Sequence, residues 1–296
     1  IDYMHKAGFV NIVGNPNVGK STLMNQLVGE KLSIATFKAQ TTRHRIMGIV
    51  NTEDTQIVFS DTPGVLKPNY KMQEMMLQFS ESALADADIL LYVTDVVEDP
   101  EKNMDFLEKV SKMSIPVILL INKIDESDQK TLGKLVTKWH GLLPNAEILP
   151  ISAKNKFGVD ILLKRVHELL PESPAFFDKD QLTDKPAKFF VSEIIREKIL
   201  RYYDKEIPYS VEVVVERFKE DERQIHINAV IYVERSSQKG IIIGHQGMAL
   251  KKVSTEARKS LERFFDKKIF LETFVKVDKD WRNSQKELKH FGYSPE

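Results

Sequence analysis

The chain has 296 residues, 42% hydrophobic and 29% charged, enough apolar material for more than one core and not the composition of a disordered chain. Cysteine is absent, which removes disulfides, thiolate metal sites and cysteine nucleophiles together and fits a reducing cytosolic setting. Basic and acidic residues balance at 43 each, but unevenly: residues 181–296 hold 23 against 19, and residues 235–268 nine against three. That local surplus suggests a polyanion site, although a solvated basic helix gives the same pattern.

The apolar runs at 89–93 and 117–121 are five residues long, against about 20 needed to span a bilayer. No secretory leader is visible. Met4 is a candidate initiator, with residues 1–3 as additions ahead of it.

From residue 9 to about 170, short β-rich runs alternate with helical patterns. Residues 9–13, 56–60, 89–94, 117–121 and 146–150 read as buried strands. Residues 20–27, 72–85, 101–113, 131–141 and 159–170 read as helices. This order predicts an α/β domain with a mostly parallel sheet covered on both faces. Residues 45–51 lie close enough to 56–60 to form an antiparallel edge pair. Residues 172–186, with three prolines counted from Pro171 onward and no periodicity, read as a semi-rigid linker. Beyond it, residues 188–205 are helical, 210–219 and 224–234 alternate as strands, 247–266 is helical and 268–277 is a strand. That is a compact α+β module. The expected domains are therefore 1–171 and 187–296.

Gly14-Asn15-Pro16-Asn17-Val18-Gly19-Lys20-Ser21, followed by Thr22, matches GxxxxGK[ST] between a strand and a helix. Such a loop turns backbone N–H groups inward onto phosphate oxygens, and the next helix adds its positive end. Lys20 is placed to reach the β- and γ-phosphates and Ser21 to bind Mg²⁺. Asp61-Thr62-Pro63-Gly64 follows a strand; Asp61 can support Mg²⁺ and the Gly64 N–H can approach the γ-phosphate. Asn122-Lys123-Ile124-Asp125 follows another strand, where Asp125 can accept from the N1–H and N2 amine of guanine. Adenine offers an acceptor at N1, so Asp125 would be left unpaired against it. Ser152-Ala153-Lys154 closes the series, with the Ala153 N–H placed for the base O6. Each string is weak alone. Together, in order and at strand ends, they specify a guanine-nucleotide site.

These motifs resemble those of the translation-factor-related class of bacterial GTPases, and specifically the Era family. The resemblance continues through Gln40-Thr41-Thr42-Arg43-His44-Arg45, similar to that family's switch I. It also covers the stretch LPESPAFFDKDQLTDKPAKFFVSEIIREKIL and so nearly the whole chain. It implies a switch that binds and hydrolyses GTP with Mg²⁺, held by Ser21, Thr42 and Asp61, with Lys20, Thr42, Gly64 and Asn17 at the chemistry. Thr41 is a close second for the Thr42 role. In related GTPases an asparagine at the place of Asn17 helps bind K⁺; otherwise Asn17 only shapes the loop. Val65 stands where many GTPases carry the glutamine that orients water, so slow intrinsic turnover is expected. Arg43 and Arg45 are read as facing phosphate, RNA or solvent, and His44 as an exposed loop residue.

In the C-terminal module, Gly244-His245-Gln246-Gly247 precedes a basic helix, and the element order resembles a type II KH domain. Its GxxG loop would clamp about four nucleotides. Lys239, Lys251, Lys252, Arg258 and Lys259 supply charge, Gly240 lies beside them, and Ile241, Ile242 and Ile243 are expected to form an apolar floor for bases. His245 and Gln246 complete the loop. Trp281, Phe291 and Tyr293 either stack on bases or pack the terminal segment onto the module. The resemblance implies the 3′ end of 16S ribosomal RNA as ligand, small ribosomal subunit maturation as role, a monomer, and a cytoplasmic location partly peripheral at the cell membrane. A membrane-associated signalling GTPase, with RNA binding secondary, is the competing expectation.

Overall fold

The computed structural model describes residues 4–36 and 38–294; residues 1–3, and the expectation attached to them, lie outside these. The chain forms two compact units, residues 4–69 with 73–184, and residues 70–72 with 185–294.

The first unit contains β1 (Lys6–Gly14), α1 (Lys20–Val28), β2 (Ile46–Asn51), β3 (Thr55–Asp61) and α2 (Lys71–Ala85). It continues with β4 (Ile89–Asp95), α3 (Met104–Ser111), β5 (Val117–Asn122), α4 (Gln129–Leu142), β6 (Glu147–Pro150) and α5 (Val159–Leu169). The sheet order is β2-β3-β1-β4-β5-β6, parallel except for the β2–β3 pair. β3 and β4 are buried along their full length, which is why residues 57–59 and 89–93 within them run apolar without alternation. The parallel strands deliver their carboxyl ends to one edge, where the loops after β1, β3, β5 and β6 carry the nucleotide motifs. α3 starts three residues later than the periodicity predicts, because Asn103 is its N-cap.

Residues 172–184 are more than a connector. Leu182 O accepts from Ile49 N at 2.8 Å and Thr183 Oγ1 donates to Met47 O at 2.7 Å. Gln56 Oε1 accepts from Phe176 N and Phe177 N, and the Phe176 ring lies 4.8 Å from that of Phe9. The segment binds the exposed backbone of edge strand β2 and so belongs to the first unit.

The second unit contains α6 (Ala187–Tyr202), α7 (Ile207–Ser210), β7 (Glu212–Glu220), β8 (Gln224–Val233) and α8 (Ser236–Ile243). α9 (Met248–Phe265), β9 (Lys268–Val277) and α10 (Gln285–His290) follow. Its sheet runs β7-β8-β9, with β7–β8 antiparallel and β8–β9 parallel. Residues 207–210, partly read as strand, are a helical turn with Pro208 in its first positions, where a missing N–H costs nothing. One core joins Ile195 and Ile199 of α6, Ile227 and Ile231 of β8, Ile242 of α8 and Leu261 of α9.

Trp281 and Tyr293 are fully buried; Trp281 Nε1 donates to Ser210 O at 2.9 Å, and the Tyr293 hydroxyl donates to Glu212. Phe291 packs edge-on against Trp281. Of the two readings left open for these rings, packing is the one observed. Among the described residues no helix is long and apolar enough to cross a membrane.

Candidate functional site

The loop between β1 and α1 wraps inward as its glycines allow, and Lys20 Nζ donates to Asn15 O at 2.7 Å across it. Burial pulls the Lys20 ammonium down to about 8, opposed by Asp61 and then Glu98. Ser21 Oγ donates to Asp61 Oδ2 at 2.8 Å and lies 2.9 Å from Thr42 Oγ1. Burial likewise raises the Asp61 carboxyl, against the lowering effect of Lys20 and Ser21. Three hard oxygens on three different segments thus meet at one point, a donor set suited to Mg²⁺. Thr41 is turned elsewhere: its hydroxyl bonds the Lys38 carbonyl at 2.5 Å and Thr36 Oγ1 at 2.9 Å.

Gly64 lies against the phosphate loop. A Cβ there would sit 2.7 Å from the Pro16 backbone, so only glycine permits the approach. Pro63 O accepts from Ser80 Oγ, and Thr62 Oγ1 donates to Ile12 O. The Thr62 hydroxyl therefore fixes the loop to β1 and leaves nucleotide contact to the backbone. Val18 and Asn15 are also buried, which restricts them to backbone contact with phosphate.

Beside the phosphate loop lies a cavity of about 280 Å³ lined by Asn17, Gly19, Thr22, Asn122, Lys123, Asp125, Ser152 and Lys154. Asp125 is exposed in it, held through Oδ1 by Ser152 Oγ at 2.8 Å. Lys123 Nζ donates to Asn17 O at 2.6 Å and pairs with Asp95 at 2.9 Å, locking the guanine-side loop to the phosphate loop. Asn122 bridges further, donating to Val18 O and accepting from the Ala153 N–H at 3.0 Å. The Ala153 donor expected for the base O6 is thus already committed to Asn122 and could serve a base only by sharing. Ala35 and Thr36 also line both the base cavity and the phosphate cleft. Sequence reasoning missed them, since neither belongs to a short motif.

Three expectations for residues 43–45 are corrected. Arg43 is 1% exposed, so it faces neither solvent nor RNA. Arg45 forms a bidentate pair with Asp86, at 2.8 and 2.9 Å, and also bonds Ser60. His44 is buried with its ring 5.8 Å from that of Phe79, packed on α2 rather than free in a loop.

In the second unit, the end of α8 is tied to the segment after α6 by Tyr203, whose hydroxyl donates to Ile242 O at 2.6 Å. Burial pushes that hydroxyl up to about 12. Gly244 and Gly247 both have φ of 73°, and a Cβ on Gly244 would meet that of Ala249 at 2.6 Å. Lys239, Gly240, Ile241, His245, Gln246, Lys251 and Lys252 are exposed around this loop, and the Lys252 ammonium lies 4.6 Å from the Tyr202 ring centre. Ile242 is fully buried in the core and Ile243 packs against it, so the expected apolar floor reduces to Ile241. Arg258 and Lys259 are engaged along α9 by Glu262 and Glu256 at 2.6 and 3.3 Å, which reduces the charge they offer.

The family profile described as 50S ribosome-binding GTPase matches residues 9–123, and that of the KH domain residues 206–282. Among curated proteins the chain is similar to GTPase Era of Clostridium kluyveri (strain NBRC 12016), 44% identical over 292 residues, 98% of this chain and all of that one. It is 47% identical over 290 residues to GTPase Era of Geobacter sp. (strain M21), 97% and 98% of the two chains. Among solved structures it is similar to Era in complex with MgGDPNP and nucleotides 1506–1542 of 16S ribosomal RNA. That likeness has a TM-score of 0.93 at 36% identity, covering 98% of this chain and 100% of that one. An Aquifex aeolicus Era variant bound to GDP and AlF₄⁻ gives the same TM-score and coverage at 37% identity.

Proposed function

This chain belongs to the Era family of GTPases, and on that footing we propose a switch that binds GTP with Mg²⁺, hydrolyses it to GDP and phosphate, and binds the 3′ region of 16S ribosomal RNA during small-subunit assembly. The observation that carries the GTPase half is the meeting of Ser21, Thr42 and Asp61 beside Lys20. Residues 1–171 act as the GTPase domain, 172–186 as a connecting segment whose residues 172–184 are docked on that domain, and 187–296 as the RNA-binding domain, in a monomer.

Mg²⁺ bound by the Ser21, Thr42 and Asp61 oxygens would neutralise charge on the phosphates. Lys20 and the N–H groups of residues 17–21, beyond Pro16, which has none, hold the phosphate oxygens. The Gly64 N–H reaches the γ-phosphate, and Asp125 accepts from guanine. Asn17 is placed at the phosphates, where a K⁺ held by its side chain would add positive charge. Val65 cannot orient a water, so catalysis rests on positioned backbone donors and cations, and turnover is slow.

For RNA, the GxxG backbone offers close approach to phosphates, while Lys239, Lys251 and Lys252 supply charge. A cytoplasmic location, with part of the protein peripheral at the inner membrane face, belongs to the same proposal, and flotation on liposomes tests its second half. Single-turnover cleavage of GTP against ATP, with crosslinking to cellular RNA in the GTP and GDP forms, tests the whole. Equal cleavage of ATP, or random RNA recovered in both states, would overturn it.

A further inference from the structure

The loop between β4 and α3 carries two side chains that belong to none of the nucleotide motifs. Its start is fixed by Asp95, whose Oδ1 accepts from Val97 N and Glu98 N at 2.9 and 2.8 Å while Oδ2 pairs with Lys123. Glu98 then accepts from Thr94 Oγ1 at 2.6 Å and from Asn15 Nδ2 at 2.9 Å. Asn103 donates through Nδ2 to Asn15 Oδ1 and to Val65 O at 3.0 Å.

The chemistry at the two ends sets the direction of this chain. The Val65 carbonyl only accepts, so the Asn103 amide nitrogen must face it. The Glu98 carboxylate also accepts, so the Asn15 nitrogen faces Glu98 and its oxygen is left for Asn103. Asparagine at a helix N-cap ordinarily accepts from the helix's own N–H groups. Asn103 makes no such cap bond, because its side chain is turned to Val65 and Asn15. At the other end of the same residue, Val65 N donates to Gly14 O at 3.0 Å, and Gly64 rests on Pro16. The chain after Gly64 is thus held at its N–H by the phosphate loop and at its C=O by Asn103.

We propose that Asn103 and Glu98 are positioning residues for GTP hydrolysis, fixing the Gly64–Val65 backbone against the phosphate loop through Asn15. The inference rests on the GTPase reading above. With an aliphatic side chain at Val65, the rate depends on how well the Gly64 N–H is preorganised, and a donor that must be reoriented during reaction loses most of its value. Neither Asn103 nor Glu98 lines the cleft. Their effect on chemistry passes through the backbone they hold. Burial also pushes the Glu98 carboxyl above its ordinary range, so the side chain is kept there at a cost in stability.

The test compares single-turnover GTP cleavage, KM for GTP and Kd for GDP in the full-length wild type, Asn103→Asp, Glu98→Ala and Glu98→Gln. Asn103→Asp keeps the shape and removes the donor; it is expected to slow cleavage by about 10- to 100-fold while KM and the GDP Kd stay within about threefold. Glu98→Ala is expected to do the same, and Glu98→Gln, which keeps an acceptor for Asn15, to retain the rate within about threefold. Wild-type cleavage in Asn103→Asp and Glu98→Ala would overturn the proposal, and so would GDP affinity falling in parallel with the rate. Should Asn103→Asp fail to fold, the contrast between Glu98→Ala and Glu98→Gln still decides. Failure of the wild type to cleave GTP would instead remove the functional reading on which the proposal rests.

Discussion

Ser21 Oγ lies 2.9 Å from Thr42 Oγ1, bringing the start of α1 and the loop ahead of β2 onto one point that Asp61 also touches. Thr41, one residue away, bonds Thr36 and the Lys38 carbonyl instead. Thr42→Ala is therefore expected to lower single-turnover GTP cleavage by about 10²-fold, the loss typical of one electrostatic contact to the transition state. It should also raise the Mg²⁺ concentration needed. Thr41→Ala should change either by less than about threefold. Equal losses in the two variants would show that the closed loop seen here is not the reacting one.

Asp125 faces the base cavity with Oδ1 held by Ser152. Asp125→Asn replaces one acceptor by a donor that meets the guanine N2 amine head-on. GTP affinity should fall by about 100-fold, as for loss of a charge-assisted bidentate contact of about 3 kcal/mol. Xanthosine triphosphate, with a carbonyl at C2, should gain in its place. Competition of both nucleotides against labelled GDP reads the switch, and unchanged GTP affinity would remove Asp125 from base recognition.

Burial brings the Lys20 ammonium from 10.5 to about 8. A lysine depressed in this way binds fewer protons in the folded, nucleotide-free protein than in the unfolded chain between these two pH values. The stability of that form should therefore rise with pH across the window. Phosphates restore the charge, so nucleotide binding takes up a proton above about pH 8. GDP affinity should then fall by up to about tenfold per pH unit there. Calorimetry at pH 9 in two buffers of different ionisation enthalpy measures the uptake, and the same heat in both would count against it.

Much of this site was legible because its chemistry lies in short strings at strand ends: Gly14–Thr22, Asp61–Gly64, Asn122–Asp125 and Ser152–Lys154 all converge as their order in the chain implies. What escaped depends on tertiary partners. Arg45 reads as facing phosphate, RNA or solvent until Asp86 is seen beside it, and His44 as an exposed loop residue until Phe79 covers it. The Pro-rich stretch after Pro171 carries no periodicity, so nothing local signals that its backbone will bind the edge of β2. Ile242 differs from Ile241 and Ile243 only by its phase on a helix of eight residues, too short for periodicity to resolve.

Trp281 is fully buried, donates to Ser210 O and packs on Phe291, so the terminal segment is part of the core of its unit. Trp281→Ala should destabilise that unit by about 3–5 kcal/mol. Tyr293→Phe removes one buried hydroxyl donor to Glu212 and should cost about 1–2 kcal/mol. Tyr293→Phe should leave RNA affinity unchanged, because the hydroxyl it removes is buried and spent on Glu212. Denaturant unfolding and RNA titration of the same preparations separate the two readings, and weaker RNA binding at unchanged stability would return Tyr293 to the interface.

Gly247 offers the sharpest test of the RNA surface, because it can be charged without crowding. Its backbone is left-handed, at φ 73° and ψ 10°, and a Cβ there would meet nothing within 4 Å. Aspartate tolerates that conformation better than most residues, so Gly247→Asp should cost only about 1 kcal/mol in stability. It would set a carboxylate where the proposal places an RNA phosphate, in the loop that the exposed Lys239 and Lys251 flank in sequence. RNA affinity should fall at least about tenfold, most steeply at low salt, where phosphate contacts count most. GTP cleavage without RNA should be unchanged, since the substitution lies in the other unit. Gly244→Ala is the contrasting control: its Cβ would meet Ala249 at 2.6 Å, so it should lose stability together with RNA binding. Undiminished RNA binding by Gly247→Asp would mean that the GxxG backbone does not approach phosphate, and that the basic face of α9 binds elsewhere or not at all.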